Sequence, residues 1–204
     1  MVIVFAKAPV PGRVKTRLVP LLGAAGAARL QAQLIRRALD TALASGCGDV
    51  ELCCAPHRRH AFFERCARIP GVHLTAQGAG DIGARMHRAL LKGLAAHEAV
   101  ILVGSDVPSL RASDLRAANR ALRGGADAVF SPAEDGGYAL IGVARISTLV
   151  FRHIEWGSPS VMAQTRRRMR ALGWDWTELR TVWDVDRPQD HARLLRRGLL
   201  GRAP

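Results

Sequence analysis

The sequence predicts a three-layer α/β/α domain around a mostly parallel, Rossmann-like central sheet. Three observations carry this. Short apolar runs alternate with segments of helical periodicity. Several of those runs are almost continuously apolar, as strands buried on both faces are. The loops that follow them collect glycines, cations and carboxylates, and in open α/β sheets ligands bind outside the carboxyl ends of the strands. The 204 residues fit one domain spanning 1–204, with a tail from about residue 197 expected to fray.

"VIVFA" (2–6) reads as the first strand. From Gly23 to about Ser45 apolar residues recur at helical spacing, as in "ARLQAQLIRRALDTAL". "DVELCCA" (49–55) is the next strand, "HRRHAFFERCAR" a helix, and "VHLTAQ" (72–77) a strand. Residues 83–97 predict a helix, "AVILVGSD" (99–106) a strand and 112–123 a helix. "DAVFSPAEDGGYALIGV" (127–143) predicts two strands around a Gly-Gly turn. In "SPSVMAQTRRRMRALG" Ser158 is placed as a cap with Pro159 at the first helical position. "TVWDVD" is expected as a late strand, and Pro188 opens the last helix.

Hydrophobic residues make up 49% of the chain, which fits a globular protein. No apolar run reaches the roughly 20 residues of a membrane helix, so no span and a cytoplasmic location are expected. Cys47, Cys53, Cys54 and Cys66 form no C-x-x-C pair and read as reduced thiols rather than a zinc site. His57 and His60 are expected to be solvated. The net charge of +13 comes almost wholly from arginine, and aromatics are only 5%. Without aromatic interleaving or a nucleic-acid-binding signature, a nucleic-acid partner is not expected; attraction of small anions is. Lysine occurs only at 7, 15 and 92, and two of those three lie in the loop after the first strand. Lysine is a compact charge that can sit beside a phosphate.

The strand-end loops carry the chemistry. "KAPVPGRVKTRL" crowds Lys7, Arg13, Lys15 and Arg17 around a Pro11-Gly12 turn, without the pattern of a Walker A loop. Alone it fits either a solvated turn or a polyphosphate cradle. "QGAGDIGARM" supplies Asp81, "GSDVPSL" Asp106, "PAEDGGY" Asp135, and "DVDRPQD" Asp184 and Asp186. Asp106 suits a metal ligand at the sheet edge, or the cap of a turn. Asp184 and Asp186 share one face of an extended segment, and Asp186 also fits a cap for the last helix. Glu134 and Asp135 are not needed by the hairpin turn that explains Gly136 and Gly137. Trp156 fits a stacking platform or a core residue.

Taken in order, "KAPVPGRVKTRL", "QGAGDIGARM", "GSDVPSL", "EDGGYALIG", "WGSPSV" and "DVDRPQD" closely resemble the DUF2064 family of glycosyltransferase-like proteins. More distantly the chain is similar to the phospholactate and molybdenum-cofactor guanylyltransferases. The resemblance implies the GT-A, nucleotide-diphospho-sugar transferase fold and a nucleotide held at the N-terminal loop. Glycosyltransferases of this fold usually carry D-x-D, whereas "GSDVP" has one acid, which looks more like the nucleotidyltransferases. The expected enzyme is a transferase using Mg2+ or Mn2+ held by Asp106 and Asp186, with Asp184 in reserve. Lys7, Pro11, Gly12, Arg13, Lys15 and Arg17 would line the phosphates, and Gln77, Gly80, Asp81 and Arg85 the base or ribose. Asp135, Gly136, Gly137 and Trp156 would face a small acceptor, with Lys15, Asp106 and Asp135 as the catalytic set. Transfer of a nucleotidyl group from a nucleoside triphosphate is expected. The alternatives are glycosyl transfer from a nucleotide sugar and a non-catalytic nucleotide-binding module. Oligomeric state is left open by the sequence.

Overall fold

The computed structural model describes residues 1–200. Seven strands join one sheet: β1 (Val2–Lys7), β2 (Val50–Ala55), β3 (Val72–Ala76), β4 (Val100–Gly104), β5 (Ala128–Pro132), β6 (Tyr138–Val143) and β7 (Trp176–Glu178). Their order is β3-β2-β1-β4-β6-β5-β7. β1 pairs in parallel with β2 (Val2 opposite Val50) and β4 (Val2 opposite Ile101). β3 joins β2 in parallel and β7 joins β5 in parallel. Only β6 is reversed, antiparallel to both β4 and β5. Its connection to β5, Ala133–Gly137, is long enough for a turn and far too short for a crossover.

Among the described residues six helices cover the sheet: α1 (Val19–Ser45), α2 (Ala61–Cys66), α3 (Ile82–Leu94), α4 (Ala112–Arg123), α5 (Val161–Leu172) and α6 (Pro188–Arg196). Alternation along β1 sends its side chains to both faces. Val2, Val4 and Ala6 join a core with Ile35 and Leu39 of α1, Phe62 and Phe63 of α2 and Leu115 of α4. Ile3 and Phe5 join the opposite core with Met86 and Leu90 of α3 and Met162 and Met169 of α5. A third cluster clamps α6 onto α1 through Leu194, Trp183, Val185, Leu30 and Leu34. Burying each such side chain is worth about 1.5–3 kcal/mol, and these clusters fix where the strand ends point.

The segment Thr16–Ser45 is long and apolar enough by composition to cross a membrane, with a mean hydropathy of 1.3. The sequence reading had found no such run. In the fold this segment is bent at Gly23 (φ 69°, ψ 163°), and Leu30, Leu34, Ile35 and Leu39 lie buried within it. The helix expected over 57–68 is confined to α2, because His60 caps it, its Nδ1 accepting from the Phe62 N–H at 3.2 Å. His60 is thus a structural cap rather than a free surface side chain.

Two expectations are corrected at the C-terminal end. α5 starts at Val161 with Ser160 as N-cap, not at Pro159. Ser158 and Pro159 belong to the preceding turn, which docks on the β5–β6 hairpin: the Met162 N–H donates to the Gly136 carbonyl at 2.9 Å. "TVWDVD" is not a strand of the sheet. The seventh strand is Trp176–Glu178, and 181–186 instead crosses the strand ends. It touches Ala133 by one isolated bridge at Val182, then donates from the Val185 N–H to the Asp106 carbonyl at 2.9 Å. The expectation of a frayed tail falls partly on residues 201–204, outside the described residues.

Candidate active site

The loops after β1 and β4, the β5–β6 turn and the 181–186 segment meet at the carboxyl edge of the sheet. After β1 the chain makes a tight turn closed by the Arg13 N–H donating to the Val10 carbonyl at 3.0 Å. Pro11 and Gly12 (φ 75°) occupy the two central positions, the pattern of a type II turn, which needs a left-handed residue second. Lys15 is itself left-handed (φ 46°, ψ 44°), a conformation that costs a side-chain-bearing residue about 1–3 kcal/mol. That bend turns its side chain inward, to 7% exposure, where Nζ donates to Asp106 Oδ2 at 3.1 Å. Arg17, in the short 3-10 turn that follows, hydrogen-bonds and ion-pairs with Asp186. Lys7 ends β1 exposed, and Pro11, Gly12 and Arg13 are exposed in the turn.

Two cations of the loop are therefore latched onto acids far along the chain, Asp106 at its middle and Asp186 near its end. Burial pushes the Asp106 carboxyl up, but the charge and hydrogen bond of Lys15 outweigh it and hold the group below the usual carboxylate range. Asp184 behaves oppositely. Burial, and then the charges of Asp106 and Asp135, push its carboxyl up to about 6. Asp184 is thus coupled to Asp106 and Asp135, while Asp186 is engaged by Arg17. Of the two acids of this segment, Asp184 is the one that feels the charge of Asp106, and Asp186 is the one that Arg17 holds. Asp186 does not cap α6 either: Asp190 accepts from the Arg187 and Asp186 N–H groups at 2.7 and 3.1 Å.

The expected base-binding residues are committed elsewhere. Gln77 is buried, and its side-chain amide donates to the carbonyls of Cys53 (3.0 Å) and Ala6 (3.4 Å), stapling the ends of β1 and β2. Asp81 caps α3 by accepting from the Ala84 N–H at 2.8 Å. The Arg85 Nε–H donates to the Gly80 carbonyl at 2.8 Å. Arg88, which the sequence reading passed over, donates to the Gln77 and Ala79 carbonyls at 2.7 and 3.0 Å. These residues shape the 77–81 loop and leave its outer surface to any ligand. A guanidinium bracing a loop leaves no motif in a sequence this rich in arginine.

The proposed acceptor residues do come together. Gly136 (φ 89°) passes so close to Pro159 that a Cβ there would lie 2.1 Å from its carbonyl oxygen. The Asp135 Oδ1 accepts from the Gly137 N–H at 2.9 Å and leaves the second carboxylate oxygen free. Trp156 packs on Gly83 of α3 and meets Tyr138 edge-to-face at 6.3 Å. Ile82, Met86, Asp135, Tyr138, Trp156 and Val161 line a cavity of about 170 Å3 here. Trp156 is therefore both a packing residue and a pocket wall. Glu134 points away, held by Arg193 of α6 at 2.7 and 3.0 Å. Tyr138, the chain's one tyrosine, has a buried hydroxyl with no partner, and its burial raises its pKa.

Among the described residues no three His, Cys, Asp or Glu side chains form a metal cage. The coupled carboxylates instead fit a hard divalent cation that keeps most of its waters and shares phosphate oxygens. The raised pKa of Asp184 marks a place short of positive charge, and the Lys15 ammonium supplies part of it.

The sequence matches the family described as "Uncharacterized protein conserved in bacteria (DUF2064)" over residues 38–158. A search of curated proteins finds no match. Among solved structures, a candidate nucleotide-diphospho-sugar transferase from Desulfovibrio desulfuricans G20 superposes with a TM-score of 0.87 at 32% identity, covering 97% of this chain and 86% of that one. A CMP:2-keto-3-deoxy-manno-octonic acid synthetase complexed with CTP matches with a TM-score of 0.58 at 13% identity, covering 97% and 98%. The Rv0371C protein of Mycobacterium tuberculosis H37Rv, solved with manganese, gives 0.55 at 16%, covering 96% and 98%. The last two show the shared fold. The chain belongs to the DUF2064 family and is a transferase-class enzyme with the fold of the nucleotide-diphospho-sugar transferases.

Proposed function

We propose that the protein transfers a nucleotidyl group from a nucleoside triphosphate to a small acceptor, assisted by Mg2+ or Mn2+. The observation that supports this best is the Lys15–Asp106 contact, made by a strained residue whose buried ammonium lies against the acids at the sheet edge. Lys15 and Arg17 would exchange their carboxylates, Asp106 and Asp186, for phosphate oxygens, and the freed Asp106 would hold the cation together with Asp184. A bound divalent cation supplies charge neutralisation and orientation of the phosphates. The acceptor, seated against Tyr138 and Trp156, attacks the α-phosphorus in line. The α–β phosphoanhydride bond breaks and pyrophosphate leaves, its charge met by Lys15 and the loop cations. When the acceptor is a hydroxyl, the free oxygen of Asp135 takes its proton. This chemistry sits in the cytoplasm, where triphosphates are held and where the four free thiols stay reduced.

Glycosyl transfer is the second reading, favoured by the description of the Desulfovibrio relative. The single acid of "GSDVP" favours nucleotidyl transfer. Thermal shift against a panel of nucleoside triphosphates and nucleotide sugars, with and without Mg2+, separates the two. A magnesium-dependent rise with one triphosphate, lost in Lys15→Ala and Asp106→Ala, is expected. A rise only with a sugar nucleotide replaces the first reading by the second. No rise with any of them removes the nucleotide from the site.

A further inference from the structure

We propose a second anion site, on the α1, α4 and α6 side of the molecule, that holds a small polyanion bearing two or more phosphate or carboxylate groups. A cavity of about 330 Å3 opens there, within the size range of small-molecule pockets. Five arginines from separate parts of the chain line it: Arg37 of α1, Arg111 before α4, Arg180 after β7, and Arg193 and Arg197 one turn apart at α6. Glu134 is the one carboxylate in the lining.

Two of the five guanidiniums are committed and rigid. Arg193 is bidentate to Glu134 and lies over the Trp183 ring, 4.4 Å from its centre. Arg180 is held by both oxygens of Asp114, its Nε–H at 2.9 Å. Arg37 donates from Nε to the Pro108 carbonyl at 2.9 Å, which fixes its side chain and leaves its two terminal nitrogens free. Arg111 and Arg197 make no side-chain hydrogen bond or salt bridge among the described residues. Asp114 and Glu134 ion-pair with Arg180 and Arg193, while Asp40 acts on Arg37 and Asp190 on Arg193 from outside the lining; Arg37, Arg111 and Arg197 have no ion-pair partner among the described residues. Burial lowers the pKa of Arg37, the mark of a cation whose surroundings do not repay its lost water. Like charges brought together from four elements are unfavourable until an anion joins them. Planar guanidinium forks match phosphate and carboxylate groups.

The cavity contains none of Lys15, Arg17, Asp106 or Asp184, so it is distinct from the nucleotide loop. It adjoins the acids all the same. Ser109 Oγ donates to the Trp183 carbonyl and accepts from its N–H, both at 3.1 Å, and so anchors the segment that carries Asp184. An occupant would stiffen that segment.

The test uses the full chain with the loop site disabled, Lys15→Met with Arg17→Gln, so that failure of the nucleotide reading leaves it intact. Inorganic pyrophosphate and citrate are titrated by calorimetry at low ionic strength. One saturable site is expected, weakened about tenfold or more by Arg37→Gln with Arg111→Gln and Arg197→Gln. The control is Arg68→Gln with Arg120→Gln and Arg123→Gln, which removes the same charge from exposed positions elsewhere and is expected to change affinity less than about twofold. Arg111→Gln alone, at an exposed position, guards against misfolding and is expected to weaken binding measurably. Absence of a saturable site, or equal loss in the control, overturns the proposal.

Discussion

Lys15 joins backbone strain, burial and charge in one residue. Its left-handed φ aims a long side chain at Asp106 that a relaxed backbone would send elsewhere. Because one ammonium serves both a carboxylate and, in the proposed complex, a phosphate, nucleotide and metal must bind cooperatively: each releases the partner the other needs. Lys15→Met is expected to weaken triphosphate binding at least tenfold and, with no nucleotide present, to tighten Mn2+ binding. Calorimetry of the two ligands, alone and together, reads both signs, and equal weakening of both defeats the idea. Asp184 supports a second prediction. Its folded pKa, about 6, lies above the ordinary value of 3.8, so the folded state binds its proton more tightly. Stability is therefore lost as pH rises from about 4 to about 6, and the loss stays constant above that. Asp184→Asn is expected to stabilise the metal-free protein at pH 7.5 by ~1–2 kcal/mol after solvent screening, a few degrees in Tm. The gain vanishes at pH 4, and transferase activity is lost. The choice between Asp184 and Asp186 was not legible in the sequence, since both lie on one face of the same segment. What separates them is which one Arg17 reaches.

At the scale of elements, the hairpin turn, the Trp156 loop and the start of α3 form one interlocked wall. Gly83 puts its α-carbon against the indole, and an added Cβ would sit 2.6 Å from it. Gly83→Ala gains helix propensity of about 1 kcal/mol and loses more to overpacking, so a net fall in stability is expected. In a Trp156→Ala background the clash is gone and the same substitution is expected to be neutral or stabilising. A denaturant double-mutant cycle measures this coupling, and additivity within about 0.5 kcal/mol would refute it. Gly136→Ala has no such escape, because both its φ and the Pro159 carbonyl forbid a side chain; it is expected to cost more than about 2 kcal/mol. Helices and strands with clean periodicity, such as β4 and α4, were readable to within a residue or two. "TVWDVD" was misread because its alternation is that of a strand, but its backbone spends its hydrogen bonds on strand ends rather than on a neighbouring strand. β7 escaped because "WTE" is too short to show a period.

At the scale of the molecule, the carboxyl-end rule anticipated which segments meet at that edge of the sheet, and the candidate site was legible as a set of segments. Pairings across the chain were not. The Arg17–Asp186 contact and the cavity of five arginines each join residues far apart in sequence, and no local pattern encodes them. The two latches also have a consequence for biosynthesis. They fasten a loop made within the first 17 residues to acids of which the last lies at 186. A nascent chain can pair β1, β2, β3 and β4 while still tethered to the ribosome, yet the acids of the proposed metal site stay incomplete until the 181–186 segment has emerged. A chain ending at Leu179 is expected to bind no Mn2+, even where limited proteolysis shows the early strands protected. If the proposed function holds, the site is completed only late in translation, and truncated products are expected to carry no partial activity.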